Sequence, residues 1–197
     1  NEGQSVLSED LNGFSLQMDS NKGNDFIFQT VDSYRSKIST FSQSFYSWSG
    51  GSDYGKGYLF WRYIYDTYGE SVLIAATHSS TLQPDNVAIA TGKNLNVLLQ
   101  EFILALMQTE SATPIQSKIK ISTIDPTLTY FNTKGSSLGQ FLPLNYISGF
   151  TNNIIKEEAA FEIRLYKLLP ESGTVGFTLE NINDLSNYSI FPAVIDK

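Results

Sequence analysis

The sequence contains no cysteine and a single histidine, His78. Without cysteine the chain has no disulfide, no thiolate metal ligand and no cysteine nucleophile. With one histidine it cannot supply the two imidazole ligands of an H-E-x-x-H zinc helix. The printed chain by itself therefore does not match a standard metallohydrolase.

Basic residues and long apolar runs are also scarce. The 197 residues include 13 lysines and arginines against 20 aspartates and glutamates, which gives a net charge of −7. Nucleic-acid binding is not expected, because no basic patch is present to neutralise phosphates. No transmembrane segment is expected either, since no apolar run approaches the roughly 20 residues that span a bilayer. Hydrophobic residues at 41% nevertheless suffice for a buried core and exclude wholesale disorder.

Hydrophobic residues recur at helical spacing through the first 110 residues. One apolar face contains Ile27, Val31 and Ile38, and an aromatic stripe runs from Tyr54 to Tyr68. These patterns predict amphipathic helices over 2–12, 25–38, 54–68, 70–80 and 94–108. Gly13 and Gly69 are typical residues at which such helices end.

The pattern changes after Pro114 to an alternation of period two. Strand-like runs occupy 115–121, 139–148, 159–169, 174–179 and 188–195. Helices followed by strands are typical of α+β chains or of two separate domains. The sequence therefore predicts a helical part over 1–112 and an all-β, sandwich-like accessory domain over 113–197.

Three segments of the helical part together resemble a known enzyme family. They are NEGQSVLSEDL at 1–11, DYGKGYLFWRYIYDTYGE at 53–70 and TGKNLNVLLQEFILAL at 91–106. Their order resembles the downstream half of the gluzincin zinc peptidases, in which a helix that begins N-E-G follows the H-E-x-x-H helix. Tyr54, Lys56 and Gly57 are similar to the Tyr-x-Lys-Gly segment of aminopeptidase N-like enzymes. The whole order, with a β tail, is most similar to the hyicolysin-type secreted bacterial peptidases.

The resemblance implies a zinc peptidase that acts on peptide or protein substrates and is secreted or displayed at the cell surface. Glu2 would be the third zinc ligand, and Tyr54 would donate its hydroxyl proton to the oxyanion of the tetrahedral intermediate. Glu9, which shares a helix face with Glu2, or the adjacent Asp10 would support a ligand histidine. The general base belongs to the H-E-x-x-H helix, which is expected upstream of Asn1 in a longer polypeptide. The chain alone is therefore expected to be inactive.

Each of these residues also has an alternative, purely structural interpretation. A glutamate in a first helical turn commonly complements the helix dipole, and Glu9 and Asp10 fit a solvated face. Aromatic residues at helical spacing usually pack in a core, and His78 fits the end of a helix.

The alternative function is that of a non-catalytic cell-surface protein. Its β domain would bind a polymer or a protein partner, and the aromatic residues Phe45, Tyr46 and Trp48 would be candidate contacts. An H-E-x-x-H motif upstream of Asn1 would distinguish the enzyme from this alternative.

Overall fold

The structure is a computed structural model, and it describes most of the first 144 residues and two short pairs of residues beyond them. The described residues are 2–14, 25–38, 48, 50–81, 85–110, 118–125, 127–131, 136–144, 147–148 and 166–167. The helices are α1 (Glu2–Glu9), α2 (Asp25–Lys37), α3 (Gly51–Tyr68), α4 (Glu70–His78), α5 (Asp85–Thr91) and α6 (Leu95–Gln108). A wide helical turn, Asp10–Phe14, continues α1 and breaks at Gly13, where φ is 90°.

The apolar periodicity predicted the described helices except α5, which lies between Pro84 and Gly92 and was not predicted. Helices α2, α3, α4 and α6 lie within three residues of their expected limits at each end. Local caps define two of the starts. The Asn94 side chain accepts a hydrogen bond from the Asn96 amide at 2.8 Å, and the Asp53 carboxylate accepts one from the Gly50 amide at 3.0 Å. Each cap satisfies a backbone donor that lacks a partner within the helix.

Helix α3 lies between α1 and α2, and glycine allows both crossings. A Cβ atom on Gly3 would lie 2.4 Å from the Gly57 carbonyl carbon, and a Cβ on Gly55 would lie 2.1 Å from the Thr30 carbonyl oxygen. Gly55 and Gly57 are two residues apart, which places them about 200° apart around the helix axis. The backbone of α3 therefore touches a neighbouring helix on two nearly opposite sides.

The described residues between 118 and 144 pack on the helices and share one hydrophobic core with them. Their buried members are Ile119, Ile121, Ile124, Tyr130, Phe141 and Leu144. Polar contacts reinforce this packing. Arg35, fully buried on α2, donates to the Leu142 carbonyl at 3.0 Å and to the Thr109 hydroxyl at 2.6 Å, and it forms an ion pair with Glu110.

The prediction of an all-β, sandwich-like domain is wrong for the part of the chain that the structure describes, which is mostly helical. Its strands are β1 (Tyr130–Phe131), β2 (Ser137–Gly139), β3 (Ile147–Ser148) and β4 (Tyr166–Lys167). They form one antiparallel pair, β1 with β2, and one parallel pair, β3 with β4. The predicted strands 174–179 and 188–195 lie outside the described residues, and the boundary between residues 112 and 113 stays a prediction.

The period-two pattern led to a wrong strand prediction, because side chains can alternate between buried and exposed positions without strand pairing. Ile119 and Ile121 alternate with exposed lysines and are buried, yet neither belongs to a strand. The Gln108 side chain of α6 donates to the Ile119 carbonyl at 2.5 Å, and Asp66 of α3 accepts from the Ser122 amide at 2.7 Å. Here an irregular segment on a helical surface buries Ile119 and Ile121 alternately, so its sequence imitates that of a strand.

Among the residues that the structure describes, none of the helices combines the length and the apolar character needed to cross a membrane.

Candidate functional site

The two residues that the zinc-peptidase resemblance singles out most strongly lie beside the same helix crossing. Glu2 is the first residue of α1 and is exposed. Its neighbour Gly3 is in backbone contact with Gly57, and Tyr54 lies one turn before Gly57 on α3. The Gly3–Gly57 contact therefore brings the first turn of α1 against the part of α3 that carries Tyr54.

The first turn of α3 is fixed by Asp53. Besides its hydrogen bond from the Gly50 amide, its carboxylate forms an ion pair with Lys56 at 2.6 Å, and both side chains are buried. Lys56 is one of the residues on which the family resemblance rests. In this structure it stabilises the turn from which Tyr54 projects.

Tyr54 itself is partly buried between aromatic neighbours. Its ring makes edge-on contacts with Phe26 at 5.1 Å and with Trp48 at 4.7 Å between ring centroids. Phe26 lies in the first turn of α2, and Trp48 precedes α3. Edge-to-face packing of this kind orients an aromatic ring. The two neighbours therefore define the direction of the Tyr54 ring.

The structure places the other two candidate residues differently. Glu9 is exposed at the last residue of α1. Asp10 follows it and is buried, where it accepts hydrogen bonds from Tyr58 and Arg62, both at 2.8 Å. Asp10 is eight residues from Glu2, which corresponds to about 12 Å along a helix.

Asp10 is the buried centre of a polar network that joins the turn after α1, helix α3 and the segment after α6. Arg62 also pairs with Asp66, and Asp66 accepts hydrogen bonds from the amide and the hydroxyl of Ser122. Burial, followed by the nearby charge of Asp10, raises the pKa of Tyr58 well above its ordinary value. Tyr58 is therefore a neutral hydrogen-bond donor at physiological pH. These contacts give Asp10 a structural function, and its support of a ligand histidine stays a prediction.

A second polar cluster surrounds Glu101 of α6, which the sequence patterns did not single out. Tyr63 donates to its carboxylate at 2.8 Å, Lys93 donates at 2.5 Å, and Tyr68 also donates to it. Burial raises the pKa of Glu101, but the hydrogen bonds from Lys93, Tyr68 and Tyr63 outweigh it and hold the pKa below its ordinary value. The cluster ties the end of α3 to α6. The only hint of this cluster in the sequence was that Lys93 and Glu101 both lie in the segment at 91–106 that resembles the peptidases.

Replacing Glu101 with glutamine is expected to lower the free energy of unfolding by about 2 kcal/mol at pH 7, because charged hydrogen bonds are lost. A depressed folded-state pKa stabilises the fold above the unfolded-state pKa of about 4.3, and this contribution is lost as pH falls through the folded-state value. The native chain should therefore lose more stability between pH 6 and pH 3 than Glu101→Gln. Urea unfolding across this pH range measures both effects. Glu70→Gln, on the exposed first turn of α4, is the control, and equal behaviour of the two variants would contradict the prediction.

His78 and Trp48 are also among the described residues. His78 is the last residue of α4 and is exposed, as the helix-end interpretation predicted. Trp48 is 51% exposed, whereas Phe45 and Tyr46 lie outside the described residues.

Glu2 alone is an incomplete donor set for zinc. No group of three histidine, cysteine, aspartate or glutamate side chains that suits a metal ion occurs in the described part of the chain. A catalytic zinc site takes three protein ligands and one water. The described residues could therefore form only part of a zinc site. Glu2 would supply one exposed carboxylate ligand, and two further protein ligands would be needed.

In comparisons with protein-family models, curated proteins and solved structures, nothing matches this chain.

Proposed function

We propose that this chain is the part of a secreted or cell-surface zinc peptidase that follows the H-E-x-x-H helix. Its substrates are peptides or proteins. The observation that carries the proposal is the backbone contact between Gly3 and Gly57. This contact supports a shared site, because it sets the first turn of α1, with Glu2, beside the turn of α3 that carries Tyr54.

Glu2 is suited to bind a metal from the end of a rigid element. Its carboxylate is exposed at the first residue of α1, and the next residue is locked against α3. A metal ion can therefore reach the Glu2 carboxylate without disturbing the core. Zinc in such a site polarises the scissile carbonyl and lowers the pKa of its bound water.

Tyr54 is suited to stabilise developing negative charge. Its ring is oriented by Phe26 and Trp48, and the turn beneath it is fixed by the buried Asp53–Lys56 pair. A donor that is already in position does not have to reorganise when the oxyanion forms. The phenolic hydroxyl of Tyr54 would donate its proton in a hydrogen bond to that oxyanion.

The proposal requires two histidine ligands and a general-base glutamate from a segment outside the printed sequence. The decisive observation is the reading frame upstream of Asn1, in which an H-E-x-x-H motif should occur within several tens of residues. The printed chain on its own should not hydrolyse casein, because it cannot complete the zinc site. Chelator-sensitive turnover that persists through repurification of this chain would contradict the proposal.

In a polypeptide that includes the H-E-x-x-H helix, Glu2→Gln should weaken zinc binding by about tenfold or more, because a neutral amide replaces an anionic ligand. Competition with a metal indicator measures the affinity. Glu70→Gln is the matched control, since Glu70 also occupies the exposed first turn of a helix and should leave zinc binding unchanged. If Glu2→Gln retains the zinc affinity of the parent, Glu2 is not a ligand.

A non-catalytic surface protein is the second candidate, and the exposure of Trp48 favours it. A tryptophan that is 51% exposed offers a contact for a polymer or a protein partner. An upstream reading frame without H-E-x-x-H would support this function instead of the enzyme.

A further inference from the structure

Three aromatic side chains form an open cluster around the proposed oxyanion donor. We refer to Phe26, Trp48 and Tyr54 as the Tyr54 cluster. Phe26 is 43% exposed and Trp48 is 51% exposed, although both rings contact Tyr54. A single exposed aromatic residue is ordinary, but two exposed rings that contact the same third ring form a contiguous apolar patch, and such a patch is typical of a binding surface.

The position of the cluster indicates which kind of group it binds. Both exposed rings lie within 5.1 Å of the Tyr54 ring, measured between centroids. If the Tyr54 hydroxyl faces the scissile carbonyl, a side chain that neighbours this carbonyl lies beside the same ring. The occupant is then part of the peptide substrate, and aromatic rings favour an apolar or aromatic side chain.

We infer that Phe26 and Trp48 form the subsite that selects an apolar or aromatic side chain next to the scissile bond. This inference rests on the proposed peptidase function. It assigns Phe26 and Trp48 a role in specificity in addition to their orientation of Tyr54. The substrate class is therefore peptides with a large apolar residue at the cleavage site.

The two tryptophans allow a direct binding test on the 197-residue chain. Trp61 is 2% exposed and Trp48 is 51% exposed, so a soluble quencher such as acrylamide acts mainly on Trp48. Acetyl-Ala-Phe-Ala-amide should protect Trp48 from acrylamide quenching, whereas acetyl-Ala-Ala-Ala-amide should give little protection at the same concentration. Trp48→Phe provides the blank, because it removes the accessible fluorophore.

Variants locate the binding surface. Phe26→Ala should raise the Kd of the phenylalanine peptide about fivefold, since one ring contact is lost. Phe14→Ala is the matched control, because Phe14 is 60% exposed on the turn after α1, and it should leave the Kd unchanged. Phe26→Leu keeps most of the apolar volume and serves if Phe26→Ala does not fold, as judged by its near-ultraviolet circular dichroism.

Three results would overturn the inference. They are equal protection by the alanine peptide, an unchanged Kd in the Phe26 variants, and protection by cellohexaose but not by the phenylalanine peptide. The last result would identify a carbohydrate platform. The assay uses neither zinc nor turnover, so its failure leaves the zinc test of Glu2 standing. A failure of that zinc test would likewise leave a measured peptide affinity intact.

Discussion

Gly55→Ala is expected to lower the free energy of unfolding by about 3 kcal/mol or more, which is a large share of the stability of a typical domain. A Cβ at this position would lie 2.1 Å from the Thr30 carbonyl oxygen and 2.4 Å from its carbonyl carbon. Both atoms belong to the backbone of α2, so no rotation of a side chain relieves the overlap. The two helices would have to separate. Urea unfolding monitored by circular dichroism measures the loss.

Other glycines of the helical part provide graded controls for this experiment. Gly51 lies four residues earlier on α3, and an added Cβ there would meet nothing within 4 Å. Gly51→Ala should therefore leave the stability nearly unchanged. Gly57→Ala should have an intermediate effect, since its Cβ would lie 3.1 Å from the Cα of Gly3. If Gly55→Ala and Gly51→Ala unfold at the same urea concentration, α2 and α3 do not cross at Gly55.

Tyr54→Phe is expected to lower kcat by roughly 10² to 10³ in a polypeptide that includes the H-E-x-x-H helix, while zinc content stays unchanged. The magnitude follows from the loss of one oxyanion donor in other hydrolases. The ring remains, and with it the contacts to Phe26 and Trp48, so folding should be preserved. Single-turnover kinetics and metal analysis measure the two quantities independently.

The control for Tyr54→Phe has to be a tyrosine with a structural ring on the same helix. Tyr65 meets this requirement, because its ring lies 5.4 Å from the Arg62 guanidinium carbon and is partly buried. Tyr65→Phe should leave kcat unchanged. Tyr58 is unsuitable, since its hydroxyl binds the buried Asp10 and its loss would reduce stability. Equal kcat values for Tyr54→Phe and Tyr65→Phe would leave Tyr54 with a packing role only.

Two features of the candidate site were readable from the sequence. Tyr54 was expected near the exposed start of a helix, and it lies in the first turn of α3. Glu2 was expected in the first turn of a helix, and it is the first residue of α1. Both expectations depend on local signals, namely apolar periodicity and a glycine-rich approach to the helix.

The environment of the acidic residues was not readable in this way. Asp10 was expected on a solvated face or beside a ligand histidine, and it is buried against Tyr58 and Arg62. Glu101 gave no signal of its own, although three side chains donate hydrogen bonds to its carboxylate. The partners of these acids lie 38 to 52 residues away for the contacts to Tyr63, Tyr58 and Arg62. A periodicity within one helix contains no information about such distant partners.

The sequence by itself predicted all the described helices of the first 110 residues except α5, because helix formation depends on the spacing of apolar residues within one segment. It also determined that the chain lacks the histidines of a complete zinc site. Only the tertiary structure decided that the described residues between 118 and 144 lie on the helices rather than in a β-sandwich. An alternating pattern indicates which side chains are buried, but not which surface buries them. Only the tertiary structure brought Gly3 against Gly57, and with them Glu2 beside the turn of Tyr54. The physical reason is that a helix crossing is set by contacts between separate segments, such as Gly3 with Gly57 and Thr30 with Gly55, whose complementarity of shape exists only in the folded chain.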